Sequence, residues 1–117
     1  MNESFDTPIF NQIYEFYKEI YGLRKTIPKS DRYAIWQKVE STTLEVLEEI
    51  LVAIGLPKNE KVGILEEASK KLNMLRVFIR LSKDVKAIDN KKYITLQEKL
   101  DEIGRMLGGW IKSTKTP

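Results

Sequence analysis

Leu65-Glu66-Glu67-Ala68-Ser69-Lys70-Lys71-Leu72-Asn73-Met74-Leu75-Arg76-Val77-Phe78-Ile79-Arg80-Leu81 is the stretch that decides the fold. Leu65, Ala68, Leu72, Leu75 and Ile79 recur every three or four residues, the spacing of one face of an α-helix. Met74, Phe78, Leu81, Val85 and Ile88 form a second stripe at the same spacing. A helix with about 3.6 residues per turn cannot aim both stripes into one groove. Between Met74 and Leu81 only Arg76 and Arg80 are not apolar. This helix is therefore expected to be covered on most of its circumference, which exceeds what one four-helix core requires.

Punctuation on either side gives three more helices. Pro8 suits a first helical turn, with Thr7 or Asp6 able to cap it, and Ile9, Ile13, Phe16, Tyr17 and Ile20 follow at helical spacing. Pro28 disfavours helix at Ile27. Ser30 or Asp31 can cap the next helix, whose stripe is Trp36, Val39, Thr43, Leu47, Ile50 and Ile54, widened by Leu44 and Leu51. Gly55 and Pro57 end it. Asp89-Asn90-Lys91-Lys92 reads as a polar turn, and Thr95-x-x-Glu98 reads as a capping box opening the last helix. That helix carries Leu96, Leu100, Ile103, Leu107 and Ile111. The expectation is one all-α domain over 1–117, with helices at about 8–26, 31–54, 60–87 and 95–112. Short connections make an antiparallel, up-down-up-down four-helix bundle the economical topology.

Composition narrows the function. The 117 residues contain no cysteine and no histidine. Disulfides, thiolate metal sites, Cys/His nucleophile systems and Glu-x-x-His di-metal motifs are thereby excluded. Neighbouring carboxylates such as Glu48-Glu49 and Glu66-Glu67 point about 100° apart on a helix and cannot jointly hold a substrate. The chain is accordingly expected not to be an enzyme and to need no cofactor. The lack of cysteine fits a reducing cytoplasm. The N-terminal segment has no basic region followed by an apolar run, and no apolar stretch is long enough to span a membrane. The net charge is +3, unevenly spread. Residues 1–60 hold seven Lys+Arg and ten Asp+Glu, whereas residues 61–117 hold thirteen and seven. Such asymmetry suits an anionic partner, a complementary self-contact, or merely a solvated surface.

Within the basic half, Arg76 and Arg80 lie one turn apart with Lys83 on the same side, and Arg105 and Lys112 lie seven apart. They can grip phosphates, or they can pair with acids such as Glu45, Asp101 or Glu102. Gly104-x-x-x-Gly108-Gly109 is unusual inside a helix, since each glycine costs about 1 kcal/mol against alanine. Close approach of a neighbouring helix is the favoured compensation, a helix stop the alternative. Tyr14, Tyr17, Tyr21, Tyr33, Trp36 and Trp110 can stack on bases, but their spacing favours core or interface packing.

Leu75–Leu81, the string 101–112 (Asp-Glu-Ile-Gly-Arg-Met-Leu-Gly-Gly-Trp-Ile-Lys) and the turn 27–33 together resemble one family. It is that of the accessory variability determinant (Avd) proteins of diversity-generating retroelements, within a wider group of four-helix-bundle proteins that includes those encoded in ribosomal-RNA intervening sequences. The resemblance implies a homopentameric barrel of bundles that binds DNA and RNA with little sequence preference and associates with the retroelement's reverse transcriptase during mutagenic copying of a template repeat. Carried onto this chain, Arg76, Arg80, Arg105 and Lys112 are the expected nucleic-acid contacts, and Lys83 joins them from its place on the same side of the helix. Met74, Phe78, Leu81, Gly104, Gly108 and Trp110 are the expected oligomer contacts. A net charge of +3 is low for that family. A non-catalytic protein-interaction bundle is the other reading.

Overall fold

Pro8 opens α1 (Pro8–Gly22) in the computed structural model, which describes residues 7–116. Its missing N–H costs nothing in a first turn. Thr7 stands at the N-cap, but its side chain makes no capping bond; Asp6 lies outside the described residues. Ile9, Ile13, Phe16 and Ile20 are buried. The α-helix ends at Gly22 rather than at 26, because a 3-10 turn over Arg24–Thr26 leads the chain into an extended Ile27 ahead of Pro28. The ring of Pro28 disfavours helix at Ile27.

The second helix is two pieces, α2 (Lys29–Arg32) and α3 (Ile35–Ile54). Ser30 and Asp31 do not cap; they lie inside α2, whose N-cap is Pro28. The chain turns at Tyr33 and Ala34, and Trp36 enters the core directly afterwards. Its indole N–H donates to the Ile20 carbonyl at 3.1 Å, so the largest buried side chain also meets its one polar obligation. Gly55 and Pro57 then end α3, as their chemistry requires.

α4 (Val62–Asp84) ends in a Schellman turn. Ala87 N–H donates to Ser82 O at 2.8 Å and Lys86 N–H to Lys83 O at 2.9 Å. Lys86 holds the left-handed position usually given to glycine, with φ 67°. The reversal turns Ala87 and Ile88 inward, so Ile88 belongs to the core and not to the outer stripe. Asp89 then caps α5 (Asn90–Lys115), accepting from Lys92 N–H at 2.8 Å. The helix therefore begins five residues before Thr95. Asn90–Lys92 form its first turn rather than a polar loop, and Thr95 donates to Lys91 O instead of building a capping box.

The four long helices pack as an antiparallel bundle, α1 beside α3, α3 beside α4, α4 beside α5, and α5 back beside α1. Cross-helix pairs run in reversed order. Arg76 meets Asp101, and ten residues earlier on α4 Glu66 meets Lys115 of α5 at 2.9 Å. Lys71 reaches Glu49 at 2.7 Å, while Phe78 lies near Lys38. No strand occurs among the described residues. Leu65, Ala68, Leu72, Leu75 and Ile79 of α4 are buried, as are Leu96, Leu100, Ile103 and Leu107 of α5. On the opposite side of α4, Met74, Val77, Leu81 and Val85 are 47, 61, 43 and 49% exposed. Phe78 lies between the two faces, partly buried against the core.

Candidate nucleic-acid interface

Arg76 leaves α4 toward α5. It pairs with Asp101 and donates through Nη2 to Leu100 O at 3.2 Å. Gln97 of α5 donates back to Arg76 O at 3.1 Å. A Cβ at Gly104 would lie 2.7 Å from Arg76 Nη2 and 3.5 Å from Leu72 Cδ2. The close approach at Gly104 is thus made within the chain, by an arginine folded across α5. Gly108 and Gly109 differ: nothing lies within 4 Å of a Cβ at either. Trp110 is partly buried against the core, with Lys61 Nζ 5.7 Å from its ring centroid.

The other cations of the expected stripe run along the α4–α5 seam with unequal freedom. Lys83 sits 4.5 Å over the Tyr93 ring and 3.7 Å from Asp84. Arg105 pairs with Glu102 on its own helix. Arg80 and Lys112 are exposed, and their side chains make no hydrogen bond or ion pair among the described residues. Three of the five expected contacts are therefore matched by carboxylates, which weakens the seam's field at distance.

A second concentration of charge was not legible in any helix face. The α1–α3 connection and the α4–α5 connection lie at the same end of the bundle, where Thr26 lines one hollow with Lys83, Lys86, Asn90 and Lys92. Leu23 lines an adjoining one with Glu19, Asp89, Lys91 and Lys92, where Glu19 is paired with Lys99 of α5. Residues 22–34 and 83–92 bring eight lysines and arginines there against three aspartates. Those two segments carry +5 in formal charge, or +4 once Arg24 is matched by Glu40, against the whole chain's +3. Lys25, Lys29, Lys86 and Lys91 have no ion pair there among the described residues. Arg24 does not add to this field. It forms a two-point bond with the buried Glu40, Nε to Oε2 at 2.9 Å and Nη2 to Oε1 at 2.7 Å. The Glu40 bond raises the guanidinium's proton affinity above its already high ordinary value. The signal for this end was present in the two connections, but their adjacency is tertiary.

Among the described residues no group of three or more His, Cys, Asp or Glu could hold a metal, and no helix is long and apolar enough to cross a membrane. The molecule's class is then an all-helical bundle with one electropositive end and one uncovered apolar face. The chain belongs to the bAvd-like family, whose model matches residues 9–114. That membership implies an accessory role in diversity-generating retroelements. No curated protein matches the chain.

Proposed function

We propose that this chain is a nucleic-acid-binding accessory subunit that associates with the reverse transcriptase of its retroelement and supports mutagenic copying of a template repeat. The observation that carries the binding half of this reading is the electropositive end of the bundle, where four lysines have no ion pair among the described residues. Lysines of this kind attract phosphate without reading bases, which suits binding to both DNA and RNA. Arg80 and Lys112 extend the field along the α4–α5 seam. Lys83, Arg76 and Arg105 contribute after giving up part of their charge to Asp84, Asp101 and Glu102.

The apolar face of α4 supports the assembly half. Met74, Val77, Leu81 and Val85 are spaced by three, four and four residues and stay outside the core. Contiguous apolar surface of this kind marks an interaction face. A homo-oligomer, a pentamer by family resemblance, covers it with a second copy, with the partly buried Phe78 at its margin. A reading as a protein-interaction bundle without nucleic-acid binding rests on the same apolar face.

A gel-shift titration of duplex DNA and single-stranded RNA at low and moderate salt tests the binding half, together with co-purification of the reverse transcriptase. Salt-sensitive binding to both acids is expected. No shift at low salt refutes it, and retention of the reverse transcriptase alone selects the protein-interaction reading.

A further inference from the structure

Tyr21 at the end of α1 and Tyr33 after α2 face one hollow of about 390 Å³, completed by Gly22, Arg24, Lys25 and Arg32. Its size falls within the roughly 300–1,000 Å³ range of small-ligand sites. Both tyrosines are unusually open for aromatic residues, at 53% and 68% exposure. Neither serves the core, which Trp36 and Phe16 fill instead.

The hollow is held in shape. Glu40 fixes Arg24 by its two-point bond, and the Arg24 guanidinium lies 4.5 Å from the Tyr21 ring centroid. Tyr17 flanks Tyr21 from the preceding turn at 6.1 Å. Tyr21 is thus a fixed wall, and its ordering cost is met before any ligand arrives. Opposite it, Arg32 donates through Nη2 to Ile27 O at 3.0 Å, while its buried Nε finds no acceptor among the described residues. Buried N–H groups of that kind normally have one. Lys25 is exposed at the rim. Glu40, which lies beside Arg24, Arg32 and Tyr33, is already paired with Arg24. The hollow therefore combines an open aromatic face, a fixed aromatic wall and two cations, Lys25 and Arg32, without an ion pair among the described residues.

We propose that this corner holds an unpaired nucleotide of a single-stranded nucleic acid, with the base stacked on Tyr33 against the Tyr21 wall and the phosphate met by Lys25 and Arg32. This rests on the nucleic-acid-binding reading above and adds a strand preference to it. A base inside a duplex is stacked on its neighbours and cannot enter a concave site, whereas a splayed base can. Tyr33 offers a π-face that every base satisfies, so the site selects strandedness and not sequence. The positive end beyond Lys25 carries the adjoining phosphates of either form.

The test is fluorescence anisotropy with the full chain at low salt, using labelled oligothymidylate and a duplex of equal length. Tyr33→Ala is expected to weaken oligothymidylate binding by about five- to 150-fold, the stacking of one base, and to leave duplex affinity unchanged. Tyr33→Phe keeps the ring and should retain wild-type affinity. Photo-crosslinking to a 5-bromodeoxyuridine oligonucleotide should map to Tyr33 or Tyr21. Equal loss on both ligands, or no loss on either, overturns the strand-selective site while leaving general nucleic-acid binding in place. Wild-type protein that binds neither ligand overturns both readings. Loss of reverse-transcriptase capture by Tyr33→Ala with oligonucleotide affinity intact makes this corner a protein contact and also overturns it.

Discussion

Gly104→Ala and Gly109→Ala add the same methyl group to the same helix, five residues apart, and should act in opposite directions. Both positions lie inside α5, so each substitution removes the conformational cost of a helical glycine, about 0.8–1.0 kcal/mol. At Gly109 nothing lies within 4 Å of the new Cβ, and that gain is kept. At Gly104 the Cβ would lie 2.7 Å from Arg76 Nη2, inside any tolerable contact. Because the obstruction is the far end of a flexible side chain, it moves. In moving, it gives up the bond to Leu100 O, and a charged donor to a carbonyl contributes roughly 1.5–3 kcal/mol. The pair with Asp101 adds little more than about 0–1 kcal/mol, since that carboxylate is largely exposed. The methyl gain offsets part of the loss, leaving Gly104→Ala roughly 1–2 kcal/mol less stable. Urea denaturation followed by circular dichroism, with thermal midpoints alongside, reads both. A 1 kcal/mol gain raises the midpoint by roughly 4 °C for a chain of this size. Equal stabilisation by both substitutions would refute the claim that Arg76 is locked across Gly104.

Other expectations follow from single contacts. Lys86→Gly should stabilise by about 1 kcal/mol, because lysine holds a left-handed φ of 67° that glycine adopts freely; a destabilised variant in the same denaturation assay contradicts the Schellman closure. Trp36→Phe loses the 3.1 Å bond to Ile20 O and buried volume, for a cost of about 2–4 kcal/mol; a loss under 1 kcal/mol would show that Trp36 does not anchor the α1–α3 junction. The double substitution Val77→Glu and Leu81→Glu puts charge on the uncovered face of α4 without touching the core, and light scattering should report dissociation to monomer with unchanged helicity. An unchanged mass removes that face from the assembly. Gly108→Ala should match Gly109→Ala if its side of α5 stays open, and fall short of it if another copy covers that position.

The apolar stripes were legible because burial in a bundle is periodic. Every residue of the Leu65–Ile79 stripe is buried, the stripe of the last helix is buried from Leu96 to Leu107 and partly buried at Ile111, and Met74 and Leu81 stay outside. Helix starts were misread where two caps competed. Thr95-x-x-Glu98 has the right residue types, but Asp89 comes first after the reversal at Lys86, so it takes the cap. Ser30 and Asp31 likewise have capping chemistry, yet Pro28 and the turn at Tyr33-Ala34 set the α2 and α3 boundaries. Ile88 fits the outer stripe by spacing, and only the left-handed Lys86 turns it inward. The candidate site was less legible than the fold. Arg76 and Arg80 look alike in sequence, but α5 supplies Asp101 and the Leu100 carbonyl to one and nothing to the other. The positive end needs two connections, some 60 residues apart in sequence, to meet in space. Tyr21 and Tyr33 fit core packing by pattern, and their exposure emerges only once Trp36 has filled the junction.

The central claim is that the charged end of the bundle carries the nucleic acid. It is tested most directly by the salt dependence of binding for two triple variants: Lys25→Ala with Lys86→Gly and Lys91→Ala at the end, and Arg80→Ala with Arg105→Ala and Lys112→Ala along the seam. Each lost phosphate contact lowers the slope of log K against log salt by about 0.7–0.9. The end variant should lose roughly two units of slope and most of its affinity, and the seam variant about one. A seam variant that loses its slope while the end variant keeps that of the wild type would contradict the account.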